Sequence, residues 1–566
     1  MNILGLWDGH DSGAALVGEG EIRFVINEER LTRRKLEVAF PARSIQTVLR
    51  ATNLEPRQID AVAVSTADPA KTLNRWFPTM KEQYYLLRRR KKLPSRFNAF
   101  KKLGKYWLTE FAPNALSRAL SLRALWRELM PLGLAGRPLT LVDHHLCHAA
   151  GAALTAGFDR CLVITLDGLG DGLSATISQF GGGKLKRLAA IGARHSFGIF
   201  FEHVTNLMNM RELEDEGKVM ALANFAYPIP DKENPLIGFF AVDGLQVQAR
   251  YSSLRMYREL GRVLHQFPNE QFAGMAQRAL EVWVIRLLRN ALQASGQRNV
   301  ALAGGVASNI KVNRLIKNLD EVDDVFVFPH MGDGGLALGA ALWRWHELTG
   351  EAQMPLPSVQ LGPEFSENEI ESALRDSGLT FTKPDDPVAQ TAARIADGGI
   401  VLWFQGRTEM GPRALGGRSV LARPDSLAIK DTLNLKLKKR VWYQPFCPSM
   451  LLDDARETLA DLKGTPNRFM TMGYMVKPEH RPRLAGVINV DGSCRPQIVT
   501  DAPARYAQVL QEVKRRIGIG AVLNTSFNLH GEPMVNSPTD AIASFIKMKA
   551  DALAIGNFWV EGKWND

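Results

Sequence analysis

Three histidines stand within five residues in the segment "LVDHHLCHAAGAAL" (141–154), which then runs into small apolar residues typical of a helix. On a helix, His144 and His148 are four residues apart and project from one face, as in two-histidine metal sites. His145 would point elsewhere. A divalent metal would need a further ligand, and Asp333, flanked by glycines in "HMGDGGLALG", is the best candidate. The alternative is a helix face whose histidines bond to carbonyl groups.

Glycine-rich turns recur along the first part of the chain. The segments "ILGLWDGHDSGAALV" (3–17) and "CLVITLDGLGDGLSATI" (161–177) each predict a strand, an Asp-Gly turn and a second strand. Two later segments, "ALAGGVASNIKVN" (301–313) and "FVFPHMGDGGLALGAALW" (326–343), carry similar glycine turns. Loops of this kind let backbone amides approach phosphate groups. Together the four segments predict a duplicated α/β core that binds a phosphorylated ligand.

The later part of the chain places arginines on turn-rich loops beside small hydroxyl and amide residues. These loops are "FQGRTEMGPRALGGRSVLARP" (404–424), "LNLKLKKRVWYQPFCPSML" (433–451), "DGSCRPQIV" (491–499) and "VLNTSFNLHGEPMV" (522–535). Each guanidinium can hold two oxygens, so the set suits di- and triphosphates, whereas scattered surface salt bridges are the alternative. The candidate residues are Arg413, Arg418, Lys438, Arg440, Arg495, Asn524, Ser526 and Asn528.

Length and composition indicate how the chain divides into domains. The chain has 566 residues, 45% of them hydrophobic and 23% charged, which predicts a globular protein with more than one domain. The proline-rich segment 350–365 lacks periodicity, and a capping box from Ser366 to Glu369 starts a new helix after it. The predicted divisions are a first domain at 1–350, a linker at 351–365 and a second domain at 366–566.

Neither a signal peptide nor an apolar run of the ~18 residues that a membrane-spanning helix needs is found in the sequence. Four cysteines without a CxxC pair argue against zinc knuckles and a disulfide framework, so a cytoplasmic protein is expected. The segment 84–107 holds nine Lys or Arg and no acidic residue, out of a net charge of +11. Its basic residues alternate with aromatic residues and leucines, which fits either an anionic membrane surface or phosphorylated ligand, or a solvated insertion.

The order of the motifs resembles the O-carbamoyltransferases of nodulation-factor, aminoglycoside and cephamycin pathways. The motifs are "DGHDSGAAL", "DHHLCHAA", "LDGLGDG", "EDEGKVMALA", "LAGGVASN", "MGDGGLALGAA", "GRTEMGPRALGGRS", "PFCPSML" and "LNTSFNLHGEP". The resemblance implies an α/β protein with a duplicated actin-like ATPase (Kae1-like) domain followed by a YrdC-like α/β domain. The KxR and SxN signatures of the latter match Lys438–Arg440 and Ser526–Asn528.

The resemblance also implies a two-step reaction. The second domain would form carbamoyladenylate from carbamoyl phosphate and ATP, and the first would transfer the carbamoyl group to a hydroxyl of a sugar-containing acceptor. His144, His148 and Asp333 would hold a divalent metal, with iron implied by the family and zinc or manganese as alternatives. His10 and Asp11 are the expected catalytic residues, with His10 as general base or substrate positioner; the alternative is that His10 only caps the turn. Residues expected to bind the nucleotide in the first domain are Asp167, Gly168, Lys218, Gly304, Gly305 and Asn309.

Two departures from the family pattern lie beside the KxR motif, where Val441 replaces a glutamate and Gln444 an arginine. The acceptor is expected to be an acidic or lipid-linked sugar, such as a lipopolysaccharide core or another cell-surface glycan, with segment 84–107 touching the inner face of the membrane. No specific nucleic-acid partner is expected. The alternatives are a threonylcarbamoyl-type tRNA modification enzyme and an actin-fold sugar kinase or nucleotide-binding regulator.

Overall fold

The structure is a computed structural model that describes residues 1–90 and 108–564. The chain forms two compact units. The first consists of Met1–Glu28 and Leu36–Leu356, and the second of Glu29–Lys35 and Pro357–Asp566. The segment Glu29–Lys35 thus belongs to the second unit, although the residues before and after it belong to the first. No feature of the sequence indicates this. Most of the basic segment, at 91–107, lies outside the described residues.

The first unit contains two five-stranded sheets. The strands of one sheet are β1 (Asn2–Trp7), β2 (Gly13–Gly18), β3 (Glu21–Asn27), β4 (Ala61–Ser65) and β5 (Leu139–Val142). Those that follow are β6 (Arg160–Gly170), β7 (Leu173–Gly181), β8 (Lys184–Gly192), β9 (Phe240–Asp243), β10 (Gln246–Ala249), β11 (Asn299–Ala303) and β12 (Asp324–Val327). Among these, β9 and β10 form a separate two-stranded ribbon, and the others form the second sheet.

The two sheets repeat one topology. Their strand orders are β3-β2-β1-β4-β5 and β8-β7-β6-β11-β12. In each, three antiparallel strands are followed by two strands parallel to the first of the three. The hairpins predicted at 3–17 and 161–177 are β1–β2 and β6–β7. The prediction of a duplicated α/β core is therefore confirmed.

Helices pack on these sheets, and two of them begin next to glycine-rich segments. Those of the first unit are Ala42–Ala51, Pro69–Trp76, Pro78–Arg88, Ala115–Leu129, His144–Thr155, Phe197–Leu207, Glu216–Leu222, Ser253–Leu264, Asn269–Ser295, Ile310–Lys317 and Leu336–Thr349. The helix Leu336–Thr349 lies so close to β1 and to the helix His144–Thr155 that a Cβ on Gly5 or Gly339 would clash with its neighbour's backbone. Glycine permits this approach, which brings the starts of the two helices together.

The second unit is built on one mixed seven-stranded sheet. Its strands are β13 (Val401–Phe404), β14 (Arg418–Ala422), β15 (Cys447–Leu451), β18 (Gln497–Val499), β19 (Ala521–Ser526), β20 (Ala552–Ile555) and β21 (Phe558–Glu561), in the order β18-β15-β19-β14-β13-β20-β21, while β16 (Tyr474–Met475) and β17 (Ser493–Cys494) pair separately. Its helices are Glu367–Asp376, Pro387–Ala396, Leu427–Asp431, Leu452–Thr458, Ala504–Ile517 and Pro538–Met548, and Glu28–Thr32 crosses into this unit. The mixed α/β class predicted for this part is confirmed, and the capping box from Ser366 to Glu369 is present.

The described beginning of the basic segment is tied into the interior of the first unit. The guanidinium of Arg88, 7% exposed, contacts the carboxylates of Glu202 and Glu212, the latter at 2.7 Å. Arg89 is also buried and pairs with Glu214. Burial raises the pKa of Glu202 despite the Arg88 charge. Arg88 and Arg89 therefore neutralise internal carboxylates and do not present their charges to a membrane. None of the described helices has the length and apolar character needed to cross a bilayer.

Replacing Arg88 with alanine is expected to lower the free energy of unfolding by about 3–5 kcal/mol, because Glu202 and Glu212 stay buried after their guanidinium partner is removed. Thermal and chemical denaturation measure this change. Arg118→Ala is the control, since Arg118 lies exposed on the helix Ala115–Leu129 and its loss should change stability by less than about 0.5 kcal/mol. Equal stabilities for the two variants would contradict a structural role for Arg88.

Candidate functional site

Four side chains converge at the start of the helix His144–Thr155. His144, His148, Asp167 and Asp333 each offer one ligand atom, and these atoms all lie within 4.8 Å of one another. The Nε2 atoms of His144 and His148 are 3.7 and 3.6 Å from Oδ1 of Asp333, and His144 Nε2 is 3.2 Å from Oδ2 of Asp167. The structure thus brings together the three residues predicted to hold a metal and adds Asp167, which the sequence analysis assigned to the nucleotide.

Local contacts fix the orientation of His144. The side chain of Asp143 caps the helix by accepting a hydrogen bond from the Leu146 amide at 2.8 Å, so the helix begins at His144. The His144 amide donates to Asp171 at 2.8 Å. Gly170 lies against the imidazole so closely that a Cβ there would clash with the ring. The end of β6 therefore presses on His144 and leaves its Nε2 facing the two carboxylates.

The glycines of "ALAGGVASN" orient the Asp167 carboxylate. Gly304 has a φ of +93° and lies against the Leu166 carbonyl, where a Cβ would clash. The next amide, of Gly305, donates to Oδ1 of Asp167 at 2.8 Å. Since Oδ1 accepts this hydrogen bond, Oδ2 is the oxygen directed to His144. The turn that the sequence analysis linked to phosphate binding also supports the candidate metal ligand.

The donor set fits a divalent metal ion. Two imidazoles and two carboxylates are ligands that zinc, iron and manganese accept. The Nε2 atom of His148 is buried and has no hydrogen-bond partner among the described residues, as expected of a ligand atom. Burial opposes a charge on His144, but Asp333 and Asp167 raise its pKa to about 9. Burial likewise opposes charge on Asp167, yet the histidines hold its pKa well below the ordinary value. The histidines thus stabilise the negatively charged form of Asp167.

His10 lies at the edge of this cluster. Its Nδ1 is 3.5 Å from Oδ2 of Asp333 and 3.3 Å from the hydroxyl of Tyr85. Burial lowers the pKa of His10 to about 4, so the imidazole is neutral at physiological pH and can accept a proton. Asp11 sits in the left-handed region with a φ of 56°, and its Oδ2 is 3.8 Å from Nε2 of His330. Tyr85 and His330 are site neighbours that were not among the predicted site residues. Tyr85 stands in the basic segment, and His330 stands in the motif "HMGDGGLALG", where only Asp333 was singled out.

Not all of the other residues predicted to bind the nucleotide lie beside the cluster of His144, His148, Asp167 and Asp333. Asn309 caps the helix Ile310–Lys317, and its side-chain amide donates to Gln277 at 2.8 Å. Lys218 forms an ion pair with Asp215 at 2.9 Å. A Cβ on Gly168 would lie 3.3 Å from a Glu202 carboxylate oxygen. Gly168, Gly304 and Gly305 therefore accompany Asp167, whereas the side chains of Asn309 and Lys218 contact groups outside the cluster.

In the second unit, three arginines surround the thiol of Cys447. Arg495 donates to Sγ from Nε at 3.1 Å and from Nη2 at 3.0 Å. The guanidinium of Arg440 lies 4.0 Å above the Phe446 ring, and burial lowers the pKa of Arg440 to about 10. Burial, reinforced by the charge of Arg495, lowers the pKa of Arg413 to about 9. The buried Nε of Arg413 has no hydrogen-bond partner in the described part of the chain.

No described carboxylate forms an ion pair with Arg413, Arg440 or Arg495. Positive charge that is partly buried and has no carboxylate partner among the described residues favours binding of an anion with several oxygens. We call Arg413, Arg440, Arg495 and Cys447 the arginine cluster. The arginines that the sequence analysis assigned to phosphate binding thus separate into this cluster and Arg418.

Arg418 is fully buried and has mostly internal partners. Its guanidinium lies 3.6 Å above the Phe404 ring and donates to the carbonyls of Gln405 and Gly406 at 2.9 and 3.0 Å. Burial lowers the pKa of Arg418 to about 10, with Glu409 opposing the shift. These contacts hold the glycine-rich loop in place beside Arg413.

The predicted KxR and SxN signatures meet in the structure. Lys438 Nζ donates to the carbonyl of Ser526 and, at 2.8 Å, to that of Asn528. The Ser526 hydroxyl donates to Oδ1 of Asn528 at 2.6 Å. Burial and the neighbouring Arg440 hold the pKa of Lys438 well below its ordinary value. Asn524 links the same strand to the arginine loop by donating to the Ala414 carbonyl at 3.0 Å.

Comparison with known proteins agrees with this architecture. The family model for the carbamoyltransferase N-terminus matches residues 2–342, and that for the carbamoyltransferase C-terminus matches residues 392–562. Nodulation protein NolNO of Sinorhizobium fredii is 31% identical over 98% of this chain and 79% of its own length. Nodulation protein NolO of Bradyrhizobium diazoefficiens is 35% identical over 74% of this chain and 78% of its own length.

Among solved structures, full-length HypF in its phosphate- and nucleotide-bound form aligns with 62% of this chain and 56% of its own, at a TM-score of 0.36 and 12% identity. The two family models together span both units, and the first alone covers more than half of the residues. The chain therefore belongs to the carbamoyltransferase family, and the enzyme is a transferase of carbamoyl groups.

Proposed function

We propose that the second unit forms carbamoyladenylate from carbamoyl phosphate and ATP. The observation that carries this proposal is the arginine cluster, whose guanidinium charges have no carboxylate partner among the described residues. Carbamoyl phosphate and ATP are both polyanions, and a planar guanidinium binds phosphate through paired hydrogen bonds. The buried Nε of Arg413 is a donor that such a ligand would satisfy.

The proposed adenylation proceeds in two balanced steps. Water first displaces phosphate from carbamoyl phosphate and leaves carbamate. A carbamate oxygen then attacks the α-phosphorus of ATP, the bond to the β-phosphate oxygen breaks, and pyrophosphate leaves. Negative charge builds up on the phosphate oxygens in both steps, so positioned cations would stabilise the transition states. Lys438 supports this arrangement indirectly, since its hydrogen bonds to the Ser526 and Asn528 carbonyls hold the loop beside Arg440.

We further propose that the first unit transfers the carbamoyl group to an acceptor hydroxyl. The hydroxyl oxygen attacks the carbamoyl carbon, its proton passes to neutral His10, and the bond between that carbon and the AMP phosphate oxygen breaks. Burial lowers the pKa of His10 and keeps its imidazole unprotonated, so a ring nitrogen is available to the hydroxyl proton. When bound by His144, His148, Asp167 and Asp333, a divalent metal supplies positive charge for the adenylate phosphate. Iron is the proposed metal, and the donor set equally suits zinc or manganese.

For the acceptor, we propose an acidic or lipid-linked sugar of the cell surface. This rests on the basic residues of segment 84–107, which lies mostly outside the described residues. Arg88 and Arg89 are already paired internally, so the contribution of this segment to acceptor binding would come from the residues after them. Membership of the carbamoyltransferase family sets aside the sugar-kinase alternative.

Pyrophosphate exchange tests the first step directly. The purified enzyme is expected to exchange labelled pyrophosphate into ATP only when carbamoyl phosphate is present, because the reverse reaction needs bound carbamoyladenylate. The same protein stripped of metal by a chelator and assayed with excess Mg²⁺ for ATP serves as a control, and its exchange should persist. Exchange that ignores carbamoyl phosphate, or no exchange by folded protein, would rule out this chemistry.

A further inference from the structure

The helix Ala115–Leu129 buries Leu125 and Leu129 in its C-terminal half but two serines in its N-terminal half. Ser117 and Ser121 are buried, whereas Leu116 is 69% exposed and Leu120 is 38% exposed. An amphipathic helix of a globular protein normally buries its leucines and exposes its serines. The reversal leaves two large apolar side chains exposed on one face of the helix.

Specific hydrogen bonds maintain this reversed packing. The Ser117 hydroxyl donates to the Ala67 carbonyl at 2.7 Å, and the hydroxyls of Ser121 and Thr72 are 2.8 Å apart. The Asn114 side chain caps the helix by accepting from the Ser117 amide at 2.9 Å. Because the buried hydroxyls have partners, rotating the helix to bury Leu116 and Leu120 would break these bonds. The outward position of Leu116 and Leu120 is therefore built into the packing.

Neighbouring residues extend the exposed apolar surface. Phe77 and Met80, 51% and 43% exposed, stand at the start of the helix Pro78–Arg88. Trp76, next to Phe77, donates from its indole to the Leu120 carbonyl at 3.1 Å, which places the two segments side by side. We call Phe77, Met80, Leu116 and Leu120, with Arg123 and Arg127, the outer patch.

Arginines complete the outer patch. Arg123 and Arg127 are exposed and stand seven residues after Leu116 and Leu120 respectively, so all four lie along one stripe of the helix. The Arg127 guanidinium lies 5.2 Å from the centre of the Trp76 ring. The helix carries Arg118, Arg123 and Arg127 against a single acidic residue, Glu128. Its exposed stripe is thus both apolar and cationic.

We propose that the outer patch docks onto the surface of an anionic phospholipid membrane. The leucines, Phe77 and Met80 would enter the boundary between headgroups and acyl chains, while Arg123 and Arg127 contact lipid phosphates. A second copy of this chain is a poorer occupant, since a twofold contact would bring the same arginines together. A nucleic acid would use the arginines but would leave the four apolar side chains without a role.

Vesicle flotation tests the proposal without requiring turnover, so its outcome is independent of the proposed chemistry. The full-length protein is expected to float with vesicles of phosphatidylcholine and phosphatidylglycerol, and much less with phosphatidylcholine alone. Leu116→Glu/Leu120→Glu should reduce the bound fraction at least tenfold, because each leucine would otherwise bury apolar surface. Arg123→Glu/Arg127→Glu should also reduce binding about tenfold or more, through lost attraction to the anionic headgroups.

A matched control places the same changes on two other helices, Ser253–Leu264 and Leu336–Thr349. Leu254 and Leu348 are 49% and 45% exposed, and Leu254→Glu/Leu348→Glu should float like the wild type. Leu116→Ala/Leu120→Ala serves as a milder variant if the glutamates disturb folding, which thermal denaturation would reveal. The proposal is overturned if the wild type ignores anionic vesicles or if folded patch variants bind undiminished. A wild-type dimer that the Leu116→Glu/Leu120→Glu change dissociates, without vesicle binding by the wild type, would identify a self-association surface instead.

Discussion

Carbamoyl transfer is expected to fall more than ~100-fold in the His144→Ala enzyme, while carbamoyl-phosphate-dependent pyrophosphate exchange persists. His144 lies 3.2 Å from Asp167 and 3.7 Å from Asp333, so its loss removes a nitrogen donor and the group that orients both carboxylates. Two carboxylates buried without that imidazole would also repel one another. We expect the exchange reaction to persist because the proposal assigns it to the arginine cluster of the second unit, which this substitution leaves unchanged.

Metal content gives a readout besides activity. Elemental analysis of the purified wild type is expected to find a bound divalent metal that the His144→Ala enzyme has lost. His145→Asn is a close control, because His145 lies on the same helix, and its Nδ1 contacts the Thr165 hydroxyl at 2.8 Å. Asparagine can replace that hydrogen bond, so this variant should keep its metal. Equal metal contents in the wild type and the His144→Ala enzyme would refute the metal site.

The sequence predicts the parts of the site that depend on contacts between residues close in sequence, and it does not predict those that depend on distant residues. The pairing of His144 with His148 follows from helical periodicity within one turn, and Asp333 follows from a local glycine-rich turn. The role of Asp167 depends on the Gly305 amide, 138 residues away along the chain, and that contact forms only when β6 pairs with β11. Local patterns do not encode such parallel pairings. The same limit applies to Arg88, whose partners are more than one hundred residues away.

Charge patterns in the sequence also mislead when burial decides their meaning. The basic segment 84–107 predicts an exposed cationic surface, yet Arg88 and Arg89 lie inside. In contrast, the sequence does not indicate the exposed apolar surface of the helix Ala115–Leu129. That surface exists because Ser121 and Ser117 are buried against Thr72 and Ala67, which are distant in sequence. The segment Glu29–Lys35 joins the second unit through contacts such as Arg30 with the Gly411 carbonyl at 2.7 Å, which sequence spacing does not encode.

Replacing Arg413 with methionine is expected to have the opposite functional signature to His144→Ala. In the pyrophosphate exchange assay, the KM of the enzyme for carbamoyl phosphate should rise about 10- to 100-fold. The reason is that a hydrogen bond between a charged group and phosphate contributes about 1.5–3 kcal/mol to binding. Metal content should not change. Arg423→Ala is the control, since Arg423 stands in the same sequence motif but pairs with Asp425 at 2.7 Å.

Stability separates a ligand-binding role of Arg413 from a structural one. Burial lowers the pKa of Arg413 from 12.5 to about 9, so below about pH 9 the folded state bears the cost of a desolvated charge that the unfolded state avoids. Methionine removes that cost and fills a similar volume, so the melting temperature at pH 7.5 should stay equal or rise. A structural arginine would instead lower the melting temperature when replaced. Loss of exchange together with unchanged or higher stability is therefore the result that assigns Arg413 to phosphate binding, and loss of both would contradict it.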